Sequence, residues 1–347
     1  PIPPATAASF LISICIPARN EESNLQACIA SLLASTHTNI EVLVYDDQST
    51  DTTPQIIDAL TAADVRVKRI ATIPLPPRWN GKQHACHRMA AHAEGDWLLF
   101  TDADVRFAPD CLARTLAAAD HLKAPLVSAF PRQITGTLGE ALAIPMIFFI
   151  LLSYLPFPMM KMSDTPAISA GCGQFLFVRR DAYVLSGGHA MFKDSMHDGI
   201  KLPRVLRRAG FHTDLFDGTD LCSCRMYRGF GATWSGFAKN AYEGVGSVHL
   251  LVVFTVLHLL GHVAPWVLLL LGASRAVSLT RLDVVLGLLA IGFALLQRII
   301  ILTRTRHNAA LALLHPIAIL VITAIQWHSY VLHLTGKRSW KGRSALL

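Results

Sequence analysis

The stretch WLLFTDAD, residues Trp97–Asp104, decides the fold prediction. Its first four residues are apolar, and a short apolar run bounded by polar residues is typical of a buried strand. The run ends in two carboxylates, Asp102 and Asp104, separated by a single alanine. These carboxylates follow the carboxyl end of the strand, which is the edge at which open α/β sheets bind their ligands.

Outward from this strand, apolar runs alternate with helically spaced segments between residues 11 and 130. This alternation predicts an α/β domain with a mostly parallel, doubly wound (Rossmann-like) sheet. The predicted strands are Leu11–Ile16, Ile40–Tyr45, Val65–Ile70, Trp97–Thr101 and Leu126–Phe130, and the predicted helices are Asn24–Ala34, Thr53–Ala63, Lys82–Ala93 and Pro109–His121.

The composition is not that of an ordinary soluble protein. The 347 residues are 52% apolar and only 16% charged, and the formal net charge is +7. Much of the basic excess borders long apolar runs, as Lys and Arg do when they lie beside anionic lipid. These basic residues are Arg304, Arg306, Lys337, Arg338, Lys341 and Arg343. We therefore predict a membrane partner and no nucleic-acid partner.

The seven cysteines are scattered, and Cys222 and Cys224 are the only close pair. A zinc site of the usual spacing needs a second pair, which the sequence lacks. We therefore predict reduced thiols in a cytosolic domain.

Three later runs reach the ~20 apolar residues that a helix needs to cross a bilayer. They are Val248–Leu271, Leu282–Leu302 and Ala309–Leu334. Three such runs in succession have no soluble layer in which to be buried. We therefore predict a catalytic domain over residues 1–245 and a transmembrane region of about three helices, with a basic tail, over residues 246–347.

The predicted location is the cell (inner) membrane, with the catalytic domain in the cytoplasm. Three spans place the tail Gly336–Arg343 outside, whereas the positive-inside rule places it inside. A re-entrant pair in place of one span would resolve this conflict, and Gly261 and Pro265 make the first span a candidate. Both this choice and the orientation of the tail stay open. No signal peptide is visible. The chain begins at Pro1, and an anchor ahead of that residue also stays open.

A fourth apolar stretch, Ala141–Met160, is broken by Pro145, Pro156 and Pro158. A full span here places residues 102 and 198 on opposite sides of the membrane. We therefore interpret the stretch as an interfacial or re-entrant segment that docks the domain and lines an entry for a lipid acceptor. A core helix is the alternative interpretation.

The two carboxylates after the fourth strand are candidate metal ligands. Asp102 and Asp104 can face one hard cation, Mg²⁺ or Mn²⁺, which bridges them to a diphosphate and stabilises it as a leaving group. The alternative is a solvated turn in which Asp104 or Asp110 caps the next helix.

The segment DDQSTD, residues Asp46–Asp51, follows the second predicted strand. A carboxylate there can accept hydrogen bonds from a ribose or from a pyrimidine N–H. Thr50, Asp51 or Thr52 can equally cap the next helix. Both interpretations can hold together.

Three segments in this order resemble the family 2 glycosyltransferases of the GT-A fold: IPARNEE at 16–22, VYDDQSTDTT at 44–53 and FTDAD at 100–104. Residues 170–183, with the following Gly187-Gly188-His189, resemble that family's acceptor-side segment. The tail at 336–343 is similar to the ends of its membrane-bound members. Within the family, the resemblance is to hopanoid-associated, carotenoid (diaponeurosporenoate) and ceramide glycosyltransferases.

The resemblance implies a role for each matching residue on the donor side. Pro17, Arg19 and Glu21 are expected to border the base, Asp47 to bind uracil or ribose, Asp102 to contact ribose or metal, and Asp104 to be the main metal ligand. Lys82, in WNGK at 79–82, is expected near the donor phosphates, where its charge complements the metal. The alternative for Lys82 is a solvated helix start.

The family also implies a base for the acceptor proton. Asp198, in MHDGIKLPRVLRRAG at 196–210, matches it. His197 replaces the family's glutamate, which removes a like charge and leaves the pKa of Asp198 less raised. His197 is alternatively a third metal ligand. Pro203 is expected to interrupt the following helix.

Acceptor or diphosphate contacts are expected from Gly173 and Gln174 and from the segment before the first span. There Trp234 stacks on an acceptor, and Arg228 or Lys239 holds the departing diphosphate. An interfacial anchor of Trp and basic residues is the alternative. The Gln-x-x-Arg-Trp motif of processive members is absent, which favours a single sugar addition.

Together these inferences predict a membrane glycosyltransferase. It transfers one sugar from a nucleotide-sugar, with UDP-sugar favoured, to a terpenoid, hopanoid, carotenoid or sphingolipid acceptor, with metal dependence and inversion. The alternatives are a polysaccharide or polyprenyl phosphate acceptor, or a catalytically inactive membrane lipid-binding homologue. The sequence leaves open the sugar, the nucleotide base, the acceptor and the oligomeric state.

Overall fold

The computed structural model describes residues 10–155, 157–337, 339–340 and 343–344. Two compact units can be distinguished. The sheet unit contains the described residues of Pro1–Arg132, Leu155–Arg225 and Ser339–Leu347. The helical unit contains those of Gln133–Tyr154 and Met226–Arg338. We describe each unit by itself.

An eight-stranded sheet forms the core of the sheet unit, in the order β3-β2-β1-β4-β7-β6-β8-β5. Its strands are β1 Ile12–Ala18, β2 Ile40–Asp46, β3 Val67–Ile70, β4 Trp97–Phe100, β5 Val105–Phe107, β6 Leu126–Gln133, β7 Leu176–Arg179 and β8 Thr213–Cys224.

The first four strands in space, β3, β2, β1 and β4, are parallel. Every residue of β1 and β2 is buried, as expected for strands covered on both faces. β7 then runs antiparallel to both β4 and β6, and β5 runs antiparallel to β8. The predicted fold class, a mostly parallel α/β sheet followed by long apolar helices, is confirmed.

Three strands, β5, β7 and β8, were not predicted from the sequence. β5 has only three residues, and β7 lies in a segment that was interpreted by its resemblance alone. β8 is long but carries three aspartates, so its alternation of apolar and polar residues is weak. The predicted third strand also began too early, because Val65 is 92% exposed and pairing starts at Val67.

Four helices lie where helical spacing predicted them: Leu25–Leu33, Thr53–Ala63, Gly81–His92 and Cys111–His121. The helices of this unit are Leu25–Leu33, Thr53–Ala63, Gly81–His92, Cys111–His121, Phe157–Met162, Arg180–Leu185 and Asp198–Arg208, with 3₁₀ turns at Pro166–Ile168 and Gly188–Phe192. The last α-helix continues through Pro203. The expected interruption at that residue is therefore wrong.

The helical unit contains Leu138–Ala143, Met146–Tyr154, Phe230–Ala238, Ala241–Val245, Val248–His258, Ala264–Ala273, Arg281–Arg304 and His315–Leu334, with a π turn at Leu259–Val263 and a 3₁₀ segment at Ala309–Leu314. Among the residues that the structure describes, three helical runs are long and apolar enough to cross a membrane: Val248–Ala273, Arg281–Arg304 and Ala309–Leu334.

These three runs expose most of their apolar side chains. Within an apolar segment of 18 residues in each run, the buried share is 11% in the first run, 22% in the second and 44% in the third. Exposed leucine and valine in this number are disfavoured in water, whereas lipid tails cover them. The third run supplies the inner contacts, since Trp327 and Thr323 hydrogen-bond to Thr255 and His258 of the first.

The first run stays helical from Val248 to Ala273. At its centre the helix widens into a π turn, because Pro265 lacks the N–H that would bond to the Gly261 carbonyl. A re-entrant pair requires the chain to reverse there. The first span, which Gly261 and Pro265 made a candidate for such a pair, is therefore a continuous helix.

The stretch Ala141–Met160 is divided among three short helices, the first two in the helical unit and the third in the sheet unit. Phe149 is buried, whereas Leu152 and Met159 are about half exposed. Pro156 lies outside the described residues. Of the predicted basic tail, Ser339–Trp340 pairs antiparallel with Arg343–Ser344, and Arg338 and Lys341 lie outside the described residues.

Candidate active site

The parallel strands bring three polar segments to one edge of the sheet. Pro17 is in register with Tyr45 and Ala18 with Asp46, while Cys15 is in register with Phe100. The residues that follow these strands therefore begin at neighbouring positions. The site is built from the ends of β1, β2 and β4, as the carboxyl-edge rule predicts.

Lys82 joins two carboxylates that come from distant parts of the chain. Its Nζ lies 2.6 Å from Asp102 Oδ1 and 2.9 Å from Asp198 Oδ2. Asp102 follows β4, while Asp198 begins the helix Asp198–Arg208. The Lys82 side chain is 15% exposed. The sequence analysis expected Lys82 beside phosphates and did not foresee this bridge.

The bridge sets the protonation states of Lys82 and Asp198. Burial alone would lower the pKa of Lys82, but the charges of Asp102 and Asp198 outweigh burial and hold that pKa well above its usual value. Burial would raise the pKa of Asp198, but Lys82 outweighs it and holds that pKa below the usual range. The sequence analysis expected only a smaller rise. Asp198 is therefore ionised at neutral pH and can accept a proton.

Glycine residues allow the loop before β7 to approach Asp198. A Cβ at Gly173 would overlap Asp198 Oδ1, and a Cβ at Gly199 would lie 2.6 Å from the Gly171 carbonyl oxygen. The Gly173 carbonyl accepts a hydrogen bond from Lys82 at 3.4 Å. The same close packing holds both Asp198 and Lys82 in place. The spacing of these residues along the chain did not indicate this packing.

Asp104 is the least satisfied acidic group of the site. Its Oδ1 is buried and has no hydrogen-bond partner among the residues that the structure describes. Burial, followed by repulsion from Asp102 and Glu21, raises the pKa of Asp104 to about 7. A carboxylate with one buried oxygen left without a partner among the described residues, beside two other carboxylates, lacks a positive charge.

A divalent cation would supply the missing positive charge, and carboxylate oxygens are ligands that suit Mg²⁺ or Mn²⁺. Within the described residues, no three His, Cys, Asp or Glu side chains are grouped to hold an ion by themselves. Asp102, the other expected ligand, is already paired with Lys82. Further oxygen ligands therefore have to come from the substrate or from water.

The loops after β1 and β2 are tied together by hydrogen bonds. Arg19 Nη1 donates to the carbonyls of Asp47 and Gln48. The backbone N–H of Glu21 donates to Thr53 Oγ1 at 2.8 Å, and the N–H of Asp47 donates to the Ala18 carbonyl at 2.7 Å. Arg19 thus positions the loop that carries Asp47, a role that the sequence did not reveal.

Hydrogen bonds lead from Thr101 through Gln174 to Cys224, which contacts Asp104. Thr101 Oγ1 donates to the Gln174 carbonyl at 2.8 Å, and Gln174 Nε2 lies 3.0 Å from Cys224 Sγ. Cys224, at the end of β8, interacts with the carboxylate of Asp104. The close pair Cys222–Cys224 was the available signal for this residue, but its spacing suggested no partner.

Of the remaining expected site residues, His197 lies next to Asp198, whereas three belong to the helical unit. His197 precedes the helix of Asp198, and its N–H donates to Ser195 Oγ at 3.0 Å. Arg228, Trp234 and Lys239 belong to the helical unit. There Trp234 Nε1 donates to His328 Nδ1 at 2.9 Å.

The order of the sheet and the acidic groups after β4 define a glycosyltransferase domain of the GT-A type. Residues 13–185 match the family described as Glycosyl transferase family 2. Residues 13–185 therefore form a family 2 glycosyltransferase domain, as the three sequence segments indicated.

Curated relatives are similar over nearly the whole chain. The 4,4'-diaponeurosporenoate glycosyltransferase of Staphylococcus aureus (strain USA300) is 25% identical over 340 residues, which cover 96% of this chain and 87% of the relative. The same enzyme of the bovine strain RF122 is 26% identical over the same shares.

A solved structure has the same fold. It is the mannosyltransferase PcManGT from Pyrobaculum calidifontis, in complex with GDP-Man and Mn²⁺. The TM-score is 0.60 at 20% identity, and the match covers 94% of this chain and 87% of that one.

Proposed function

We propose that this chain transfers one sugar from a nucleotide-sugar, with UDP-sugar favoured, to a lipid-like acceptor, in a metal-dependent inverting reaction. The observation that supports this most strongly is the bridge from Lys82 to Asp102 and Asp198, with the unpaired Asp104 close by. It combines a buried cation, an ionised base and an acidic group that needs a divalent ion.

In this proposal the donor binds at the carboxyl edge of the sheet. Pro17, Arg19 and Glu21 border the base, and Asp47 accepts hydrogen bonds from the base or ribose. The metal is held by Asp104, with Asp102 as a further ligand, and when bound it neutralises the diphosphate leaving group. Lys82 adds a fixed positive charge, which is more effective in a site shielded from water.

Asp198 is the proposed base. Its depressed pKa keeps it ionised, so that it takes the proton of an acceptor hydroxyl as the new bond forms. A carboxylate acceptor has no proton to lose and needs no base. Gly173, Gln174 and His197 border the acceptor in this proposal.

A lipid-like acceptor is supported by two observations. The Staphylococcus aureus relatives are named for a carotenoid carboxylate and match almost all of this chain. Three helices are also long and apolar enough to enter a membrane. We propose that the stretch Ala141–Met160, with Arg228, Trp234 and Lys239, serves the acceptor or the departing diphosphate.

We also propose that residues 1–245 carry catalysis and that residues 246–347 form the membrane region. The proposed location is the cell (inner) membrane, with the catalytic domain cytoplasmic. Protease protection in oriented vesicles tests this orientation, since a cytoplasmic domain is digested only from the cytoplasmic side.

The main test uses the full chain in a nonionic detergent with Mn²⁺, a panel of sugar nucleotides and a host lipid extract. Mass spectrometry of the lipid fraction is expected to show one added sugar, absent with Asp104→Asn. If the added sugar is found on polysaccharide or polyprenyl phosphate instead, the result supports those acceptors. Sugar-nucleotide hydrolysis alone contradicts the lipid acceptor, and lipid binding without any turnover supports an inactive homologue.

A further inference from the structure

Arg298 is an unpaired buried charge within the helical unit. It lies on the apolar helix Arg281–Arg304 and is 1% exposed. Its Nε and Nη1 atoms have no hydrogen-bond partner among the described residues, and no ion pair of Arg298 is found among them. An arginine on a membrane helix normally has a partner or a function, because its charge is costly in an apolar layer.

Three buried or half-buried histidines of the same unit lie together around Phe149. Phe149 packs against His258, His262 and His315, with ring centroids 6.3, 5.1 and 5.4 Å apart. His315 Nε2 is 3.1 Å from His262 Nδ1. Arg298 is near enough to His315 to interact with it electrostatically. We call Arg298, His258, His262 and His315 the Arg298 cluster.

The cluster has further polar atoms that lack a hydrogen-bond partner among the described residues. His258 Nδ1 bonds to Thr323 Oγ1 at 2.8 Å, but its Nε2 is buried without a partner among the described residues. The same holds for His315 Nδ1. Unsatisfied polar atoms thus come from two separate helices, His315–Leu334 and Val248–His258, in addition to Arg298.

The acidic residues of the helical unit form no ion pair with Arg298 among the described residues. They are Glu140, Glu243 and Asp283. Glu140 accepts hydrogen bonds from the N–H groups of Gly136 and Gly229, and Asp283 accepts one from the Thr280 hydroxyl at the start of the Arg298 helix. Glu243 lies on a separate short helix, Ala241–Val245. An anion for Arg298 is therefore expected from outside the chain.

We propose that the Arg298 cluster binds the carboxylate of an apolar molecule taken up from the bilayer. A carboxylate accepts two guanidinium N–H groups at once and further donors from imidazoles. Its single charge balances the single charge of Arg298. The aromatic rings of Phe149, Tyr154 and Phe254 offer an apolar wall for the remainder of the molecule, with Tyr154 stacked on Phe254 at 4.5 Å. This site is separate from the donor site and does not depend on sugar transfer.

The test measures binding of tritiated oleate to the full chain in dodecyl maltoside. We expect saturable binding that unlabelled oleate displaces and oleyl alcohol does not. Arg298→Gln is expected to weaken binding about tenfold or more, as loss of a charge-assisted bond does. Arg281→Gln, at an exposed position of the same helix, is the matched control and is expected to bind as the wild type does.

Equal binding by Arg298→Gln, or equal displacement by oleyl alcohol, overturns the proposal. Phosphatidylglycerol tests the other anionic lipid. If it displaces oleate through Arg298 at lower concentration than oleate itself, the carboxylate assignment is wrong and a phosphodiester takes its place.

A second variant separates ligand binding from a structural role. Arg298→Met removes an unpaired charge, so the ligand-free protein is expected to unfold at the same temperature as the wild type or higher. Oleate is expected to raise the unfolding temperature of the wild type and not of the variant. A clear fall in the unfolding temperature of ligand-free Arg298→Met would show that the charge of Arg298 is satisfied within the protein. That result overturns the proposal.

Discussion

Asp102 and Asp198 lie on either side of the Lys82 ammonium group, at 2.6 and 2.9 Å, although one follows β4 and the other begins a helix much later in the chain. Neither carboxylate is held there by its own segment alone. The lysine between them ties the donor edge of the sheet to the proposed base. The first two predictions concern this bridge.

Lys82→Met is expected to lower sugar transfer about 100-fold or more, because it removes a fixed charge from a buried site. Lys82→Arg keeps the charge and is expected to retain more activity than Lys82→Met. Initial rates at saturating donor measure both. Transfer by Lys82→Met within about twofold of the wild type would contradict a role for the bridge in catalysis.

Asp198→Asn distinguishes the two kinds of acceptor. With hydroxyl acceptors the loss is expected to be about 100-fold or more, because the base is gone. With a carboxylate acceptor of similar shape the loss is expected to be smaller, since no proton has to be removed. Rates with an alcohol and its matching acid measure the difference. Equal losses on the two would argue against Asp198 as the base.

Gly173→Ala is expected to abolish transfer while the protein still folds, because the added methyl group takes the place of Asp198 Oδ1. The control is Gly231→Ala, since a Cβ there meets open space and alanine favours the helix. Activity and the unfolding temperature are measured for both variants. Full activity in Gly173→Ala would show that the close approach is not required.

Asp104→Asn is expected to remove Mn²⁺-dependent binding of UDP without lowering the stability of the metal-free protein. The reason is that Oδ1 is buried without a partner among the described residues, so the folded state loses no hydrogen bond there. Calorimetry with and without Mn²⁺ measures the binding. Unchanged Mn²⁺ dependence in this variant would remove Asp104 from the metal site.

Glu41→Gln is expected to destabilise the protein by about 1–3 kcal/mol at pH 7, the usual range for a lost buried charge-assisted bond. Glu41 is buried, and its carboxylate accepts hydrogen bonds from Ser13 Oγ at 2.5 Å, from the Glu94 N–H at 2.8 Å and from Lys68 Nζ at 2.8 Å. Thermal unfolding in detergent, followed by circular dichroism, measures the change.

The same residue predicts a pH dependence. Burial would raise the pKa of Glu41, but its bonds to Lys68, Ser13 and the Glu94 N–H outweigh burial and lower that pKa. The stabilisation is therefore present above the unfolded-state pKa of about 4.3 and is lost as the pH falls through the lower folded-state pKa. The gap between wild type and Glu41→Gln is expected to close at acid pH. A constant gap down to about pH 3 would contradict this.

Local patterns in the sequence were enough for the backbone of the fold. The helix Thr53–Ala63 and the strand that begins at Ile40 were predicted with these bounds, and the three membrane-length runs were located within a few residues. Apolar periodicity depends on near neighbours in the chain, so a single sequence reports it. The antiparallel strand β7 was missed because its pairing depends on β4 and β6, which are distant in sequence.

What the sequence alone determined is the class of the protein: an α/β domain with acidic strand ends and a set of apolar helices, each read from residues within one segment. What only the tertiary structure decided is how individual charges are neutralised. Lys82 is paired with two carboxylates and Arg19 with backbone carbonyls, whereas Arg298 is buried with Nε and Nη1 unbonded within the described residues. The reason is that burial and charge pairing depend on which distant segments meet in space, and no local pattern in the chain records that.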